Sequence, residues 1–196
     1  MDLDKTIKSL ERRRFKVSHF ETGELACKYV ASQVNNTEVG IGGSKTVEAL
    51  GLYDTLTDNN KVYWHWKEPG PETLKKANSA PVYICSANAV TEDGQIINID
   101  GTGNRLAACS YGTKKVYFII GTNKICSDFD SAVSRARNVA AVQNANRFPV
   151  NTPCKIDGKC HDCASPQRIC NSMLVTWGPM NNMDIEVIIV DEELGY

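Results

Sequence analysis

Apolar positions along the chain follow two rhythms, one of helical period and one of short continuous runs. Leu3, Ile7 and Leu10 recur at helical spacing with charges opposite them, which predicts an opening amphipathic helix. A second helix is predicted after Thr22, where Leu25 and Tyr29 form one stripe and Ala26, Val30 and Val34 the next. Residues 39–41 are a short apolar run ending in a glycine-rich turn, and residues 46–56 (TVEALGLYDTL) read as the helix behind it. Residues 61–66 are strand-like. Pro71 opens the next helix, over 71–77, where its missing N–H costs nothing. Residues 81–90 (PVYICSANAV) predict a buried strand, 92–94 a turn and 95–99 a short return strand. Residues 102–112 read as a helix stopped by Gly112, 115–120 as another buried strand, 127–148 as a long helix and 184–190 as a strand.

Strands alternating with helices predict an α/β fold with a mostly parallel sheet flanked by helices, and residues 1–196 read as a single domain. Residues 153–171 break this order. They have neither period, and read as a cysteine-rich loop inserted before the last strands.

Composition adds three constraints. Twenty-two basic residues against 23 acidic ones leave a net charge of −1, which argues against a nucleic-acid or membrane-surface partner. The N-terminus lacks the apolar core of a signal peptide and no run is long enough to span a bilayer, so the chain is read as cytoplasmic. Eight cysteines in a reducing compartment point to metal or catalysis before disulfides. Cys27, Cys85, Cys109 and Cys126 are scattered through apolar segments and read as small core residues. Cys154, Cys160, Cys163 and Cys170 crowd together as C-x5-C-x2-C-x6-C.

Four soft thiolates at that spacing can converge on one centre, within a loop that packing alone gives no reason to hold a shape. Structural zinc usually pairs two C-x2-C knuckles, and only one is present here. Irregular spacing around a single pair suits an iron–sulfur cluster of the four-iron type, with zinc as the alternative ion, and disulfides or inert thiols as the alternative chemistry.

The other candidate is the strand–loop–helix at residues 40–46 (GIGGSKT), a layout in which glycines and helix N–H groups cradle an anion, with Ser44, Lys45 and Thr46 as further donors. It fits neither the Walker A nor the GxGxxG spacing, and a plain tight strand–helix junction would look the same.

Three blocks, VGIGGSKTVEALGLYDTL, ANAVTEDGQIINIDGTGNRLAA and KKVYFIIGTNKI, resemble in sequence and order the LUD-domain family, named for lactate utilisation. The cysteine-bearing tail resembles its short stand-alone subgroup. That resemblance implies the sugar-phosphate isomerase and CoA-transferase fold, and a frequent association with iron–sulfur proteins. It further implies that Gly42, Gly43, Ser44, Lys45 and Thr46 bind the anion. Glu92, Asp93, Asn98, Asp100, Gly101, Thr102, Asn104 and Arg105 would face them across a cleft. Glu92, Asp93, Asp100 and Arg105 are the catalytic candidates, as general bases or as a guanidinium fork for an anion. Against this, Glu92 and Asp93 are also ordinary turn residues, and Asp100 with Arg105 would equally serve as a brace. The isomerases' full acid–base set and the transferases' nucleophilic glutamate are not identifiable.

The function implied is binding of a small anionic or phosphorylated metabolite in lactate, carbon or redox metabolism, with a redox partner protein and an oligomeric assembly both open. The alternatives are a non-redox isomerase or transferase with a structural metal, and a non-enzymatic redox-sensing or electron-transfer subunit.

Overall fold

The computed structural model describes all residues 1–196. Asp2 caps α1 (Leu3–Arg12) by accepting from the Lys5 N–H, and β1 (Lys16–Phe20), α2 (Gly23–Gln33) and β2 (Glu38–Ile41) follow. The helix expected over residues 46–56 is two, α3 (Lys45–Ala49) and α4 (Leu52–Thr57), because Gly51 adopts a left-handed conformation (φ 62°) and redirects the chain. Next come β3 (Lys61–Trp64), α5 (Pro71–Ser79), β4 (Val82–Cys85), β5 (Ala89–Thr91), β6 (Ile96–Asp100), α6 (Asn104–Ala108) and β7 (Lys115–Gly121). The chain continues through β8 (Ile125–Cys126), α7 (Phe129–Arg135), a π-wound segment (Ala136–Ala140), α8 (Ala141–Asn146), α9 (Cys154–Asp157), β9 (Ser172–Thr176) and β10 (Asp184–Val190). No helix is long and apolar enough to cross a membrane.

Six strands form one sheet in the order β1-β10-β7-β4-β2-β3, and every pairing in it is parallel. The expected parallel sheet with flanking helices is therefore present. The apolar run at 81–90, however, is not one strand. It leaves the large sheet after Cys85, and Ala89–Thr91 joins a second sheet, β8-β5-β6-β9, in which β6 runs antiparallel to both β5 and β9. The helix expected over 102–112 shrinks to α6, while the long helix at 127–148 is present with its middle turn π-wound.

Alternation along the central strands fills two cores. Val116, Phe118 and Ile120 of β7 face α1, α5, α6 and the smaller sheet, packing with Leu10, Ala77, Ala108 and Ile96. Tyr117 and Ile119 face the other way, onto Ala26, Val30, Val47, Leu52 and Leu56 of α2, α3 and α4. Each fully buried aliphatic or Phe side chain contributes about 1.5–3 kcal/mol, so these two layers dominate the fold. Ala132 and Ala136 lay the long helix against Ala89, Ile97 and Ile99 of the smaller sheet.

Candidate functional site

In a parallel sheet, loops at the carboxyl ends of the strands converge on one edge, and ligands bind there. Here the loops after β2, β3, β4 and β7 contribute Gly43–Thr46, His65 with Trp66, Ser86–Asn88, and Lys124. Across from them stand Asp100–Thr102, Asn104 and Arg105 after β6, and Asn144, Arg147 and Phe148 at the end of α8. Together they line a cavity of about 350 Å³.

Nine of the residues named from the sequence line this cavity: Gly43, Ser44, Lys45, Thr46, Asp100, Gly101, Thr102, Asn104 and Arg105. Gly42 lies just behind it. A Cβ on Gly42 would come within 2.8 Å of Arg105 Cγ and 2.9 Å of the Tyr83 hydroxyl, so the missing side chain lets Arg105 lie over the loop. Asn98 is buried in β6, two residues short of the strand end, and does not line the cavity. Glu92 and Asp93 need correcting: they do not face the glycine loop. They occupy the β5–β6 turn, at the opposite end of the hairpin from Asp100, about 13 Å away along β6 at ~3.3 Å per residue. There Glu92 accepts from the Asp2 N–H at 2.7 Å and Asp93 pairs with Lys5 at 3.0 Å, anchoring the start of α1.

The glycine loop has an internal use for most of its donors. Ser44 caps α3, its Oγ accepting from the Val47 N–H at 3.2 Å. Lys45 pairs with Glu48, and the Thr46 hydroxyl donates to the Leu194 carbonyl at 3.1 Å. Asp100 is likewise engaged, accepting from the Thr102 and Arg105 N–H groups at 3.2 and 3.1 Å, with Arg105 Nε at 3.4 Å. Arg105 also donates to the Ile99 carbonyl at 2.5 Å. This is a bracing geometry for the Asp100–Arg105 pair.

What the cavity offers a ligand is charge. Four cationic side chains line it, Lys45, Arg105, Arg147 and Arg168, against the Asp100 carboxylate, and the amine of Lys124 lies in its floor. Arg147 lies over the Trp66 ring at 4.2 Å, which fixes the plane of its guanidinium. His65, half-buried, has its pKa lowered by desolvation, and its Nδ1 is buried without a hydrogen-bond partner.

Lys124, Arg147 and Arg168 carry no motif, and nothing in the sequence pattern singles out Arg147 or Arg168. A lysine three residues past the buried parallel strand β7 is the available signal for Lys124. Its side chain is 3% exposed and its pKa is lowered to about 7, first by burial and then by Arg135 and Arg105.

Cys154, Cys160, Cys163 and Cys170 all border one small cavity, together with His161, Asp162, Arg137 and Arg168. All four thiols are free and half-buried. Arg137 donates to Cys160 Sγ and Arg168 to Cys170 Sγ, each at 3.6 Å. His161 is held by Asp157 at 2.9 Å. As placed, no three His, Cys, Asp or Glu side chains meet as a single-ion site. The cysteine cavity and the cationic cleft share a wall formed by Ala141, Arg168 and Ile169. Gly101 makes that junction close, since a Cβ there would lie 2.7 Å from the Ile169 carbonyl oxygen. Asn171 adds two bonds, from its N–H to the Asp100 carbonyl at 2.9 Å and from its side-chain amide to the Gly101 carbonyl at 3.1 Å.

The chain is similar over 96% of its length to a solved DUF162 family protein from Deinococcus radiodurans, of which it covers 95%, at a TM-score of 0.58 and 14% identity. At that identity the likeness concerns the fold alone. No curated protein matches the chain. The LUD domain matches residues 3–190, nearly the whole length, and the chain belongs to the LUD-domain family.

Proposed function

We propose that the cleft binds a small anionic or phosphorylated metabolite, in lactate, carbon or redox metabolism, and that the neighbouring cysteines hold an iron–sulfur cluster. The observation that carries the first half is the charge of the cavity: four cations against one carboxylate, in a chain whose net charge is −1. Such a cluster of charge in a concave site attracts and holds an anion. Arg147 is the group best suited to grip a carboxylate or phosphate, because a guanidinium presents two parallel donors and those of Arg105 are spent on Asp100 and the Ile99 carbonyl.

The donor set supports the second half. A mononuclear zinc site needs its thiolates ~2.3 Å from a single ion, much tighter than four cysteines spread around a cavity. An iron–sulfur cluster binds each cysteine at a different corner, which suits four thiols that border one cavity without three of them meeting at a point. Arg137 and Arg168, each in contact with a thiol, would offset the negative charge of four thiolates. Cys154, Cys160, Cys163 and Cys170 would be the ligands, and a bound cluster would supply single-electron transfer beside the cleft. The chain's own part is to bind the metabolite against the shared wall and keep its anionic group oriented.

Iron and acid-labile sulfide assays on anaerobically purified protein test the cluster. The reading expects both elements in near-equal amounts, and their loss together in Cys160→Ala. Zinc without sulfide would replace the cluster with a structural metal. Calorimetry with lactate, pyruvate and glyceraldehyde 3-phosphate tests the cleft. Binding that weakens in Arg147→Ala supports it, and no binding by any of the three removes it.

A further inference from the structure

Lys124 is the polar group that neither the fold nor the anion-binding reading accounts for. Burying an amine without a counter-charge is costly, and the charged or titratable groups around this one are Arg135 from α7, Arg105 from α6 and Cys85 from β4, none of them a carboxylate. Its Nζ lies 2.9 Å from Thr46 Oγ1 and 2.9 Å from Ser86 Oγ. Both hydroxyls spend their own protons elsewhere, Thr46 on the Leu194 carbonyl at 3.1 Å and Ser86 on the Ala87 carbonyl at 3.4 Å. Each therefore accepts from Lys124. A neutral amine has two N–H bonds and one lone pair, and two acceptors are what the site provides. Thr46, Ser86 and Lys124 all line the cationic cleft.

Resting on the anion-binding reading for the ligand's charge, we propose that Lys124 is a nucleophile that condenses with the carbonyl of a small anionic oxo compound to form a Schiff base. The nitrogen lone pair attacks the carbonyl carbon, a C–N bond forms, and the carbonyl π electrons move to oxygen, which takes a proton. The nitrogen gives up a proton, and the oxygen, protonated again, leaves as water while the C=N bond closes. Amine plus carbonyl gives imine plus water, and no oxidant or reductant is consumed. The protons exchange with solvent at the open side of the cavity, where Arg147 and Asn171 are exposed.

Two features favour this chemistry over a simple cationic contact. An amine with a pKa of about 7 is half-neutral at physiological pH, whereas an ordinary lysine is almost wholly protonated and unreactive. Thr46 and Ser86 hold the nitrogen in one place, so little ordering remains to be done when the carbonyl arrives. The protonated imine, once formed, draws electrons from a neighbouring C–H or C–C bond, which is the use such lysines have elsewhere.

The test is reductive trapping. Protein is incubated separately with pyruvate and glyceraldehyde 3-phosphate at neutral pH, reduced with borohydride, digested and mapped by mass spectrometry. The proposal expects a saturable adduct on Lys124 in excess over every exposed lysine, and its loss in Lys124→Arg and Lys124→Met. Lactate, which has no carbonyl to condense, should form no adduct itself and should compete with adduct formation by pyruvate in the wild type. Adducts spread over exposed lysines with none on Lys124 would overturn the nucleophile while leaving the anion site standing, provided that pyruvate binding is seen by calorimetry. Absence of both binding and trapping would remove the two together. Trapping in the wild type is decisive even if Lys124→Met does not fold.

Discussion

Two neighbouring regions of this molecule hold their shape by different means. In β7, six consecutive residues from Val116 to Gly121 are buried, and the strand is paired on both sides. From Pro153 to Asn171 no residue is buried, and Ile156 is 84% exposed. The first region is shaped by apolar burial, which leaves its polar residues free to converge at the strand ends. The second is held by backbone turns and by guanidiniums reaching across: Arg168 donates to the Cys163 carbonyl at 2.7 Å and the Cys170 carbonyl at 3.0 Å, and Arg137 pairs with Asp162 at 2.9 Å. The sheet has a stability of its own. The loop depends on local contacts and on whatever its thiols bind.

The comparison breaks most visibly in the sheet. Phe118→Ala empties a site that is 0% exposed at the centre of the larger core, and should cost about 3–5 kcal/mol. Urea unfolding would show it as a lower midpoint with the slope unchanged. A loss under about 1 kcal/mol would mean that the core is less tightly packed than described.

Gly101→Ala strikes the seam between the two regions. Its Cβ would press on the Ile169 backbone, which cannot swing aside as a side chain can. Overpacking of this kind costs about 1–3 kcal/mol, and here the cheapest relief is to lift the loop off the cleft. Limited proteolysis should therefore show faster cutting within residues 153–171 than in the wild type. Unchanged cutting would show that the loop does not depend on this contact.

A finer effect separates the cleft floor from an ordinary core. Lys124 titrates near 7 in the folded protein and at 10.5 when unfolded, so between those values the unfolded chain binds more protons. Stability therefore rises with pH across that window, by at most about 1.4 kcal/mol per pH unit. The contribution is complete above the unfolded value and is lost as pH falls toward 7. Lys124→Met removes this slope and should be the more stable protein at the acid end, because it no longer buries a charge. Parallel stability curves for the two proteins would show that Lys124 titrates normally.

How legible each region was in the sequence follows from the same division. Buried parallel strands announce themselves as continuous apolar runs, and residues 115–120 and 184–190 needed no other clue. β1 did not. It is an edge strand, exposed or half-buried throughout, and KVSHF has neither a clean alternation nor an apolar run. The cysteines were visible by spacing alone. The position of Glu92 and Asp93 is not legible, because a turn's composition does not say which end of a hairpin it occupies. Lys124 is not legible either, because a single lysine reads as solvent-exposed, and only the convergence of β2, β4 and β7 reveals where it goes.

The smallest expected change is also the sharpest statement of the contrast. Replacing Cys160 and Cys163 together by serine changes two half-buried atoms that touch neither of the two large cores. If the loop is stabilised by what its thiols bind, that binding energy is spent on ordering residues 153–171 and not on the sheet. The double variant should unfold globally within about 0.5 kcal/mol of the wild type, bind no iron or sulfide, and exchange the amide hydrogens of the loop far faster. Slowed exchange in the loop of the wild type, abolished by the substitutions while β7 stays protected, would show two regions stabilised independently. A matching fall in β7 protection would show instead that the loop is part of what holds the sheet together.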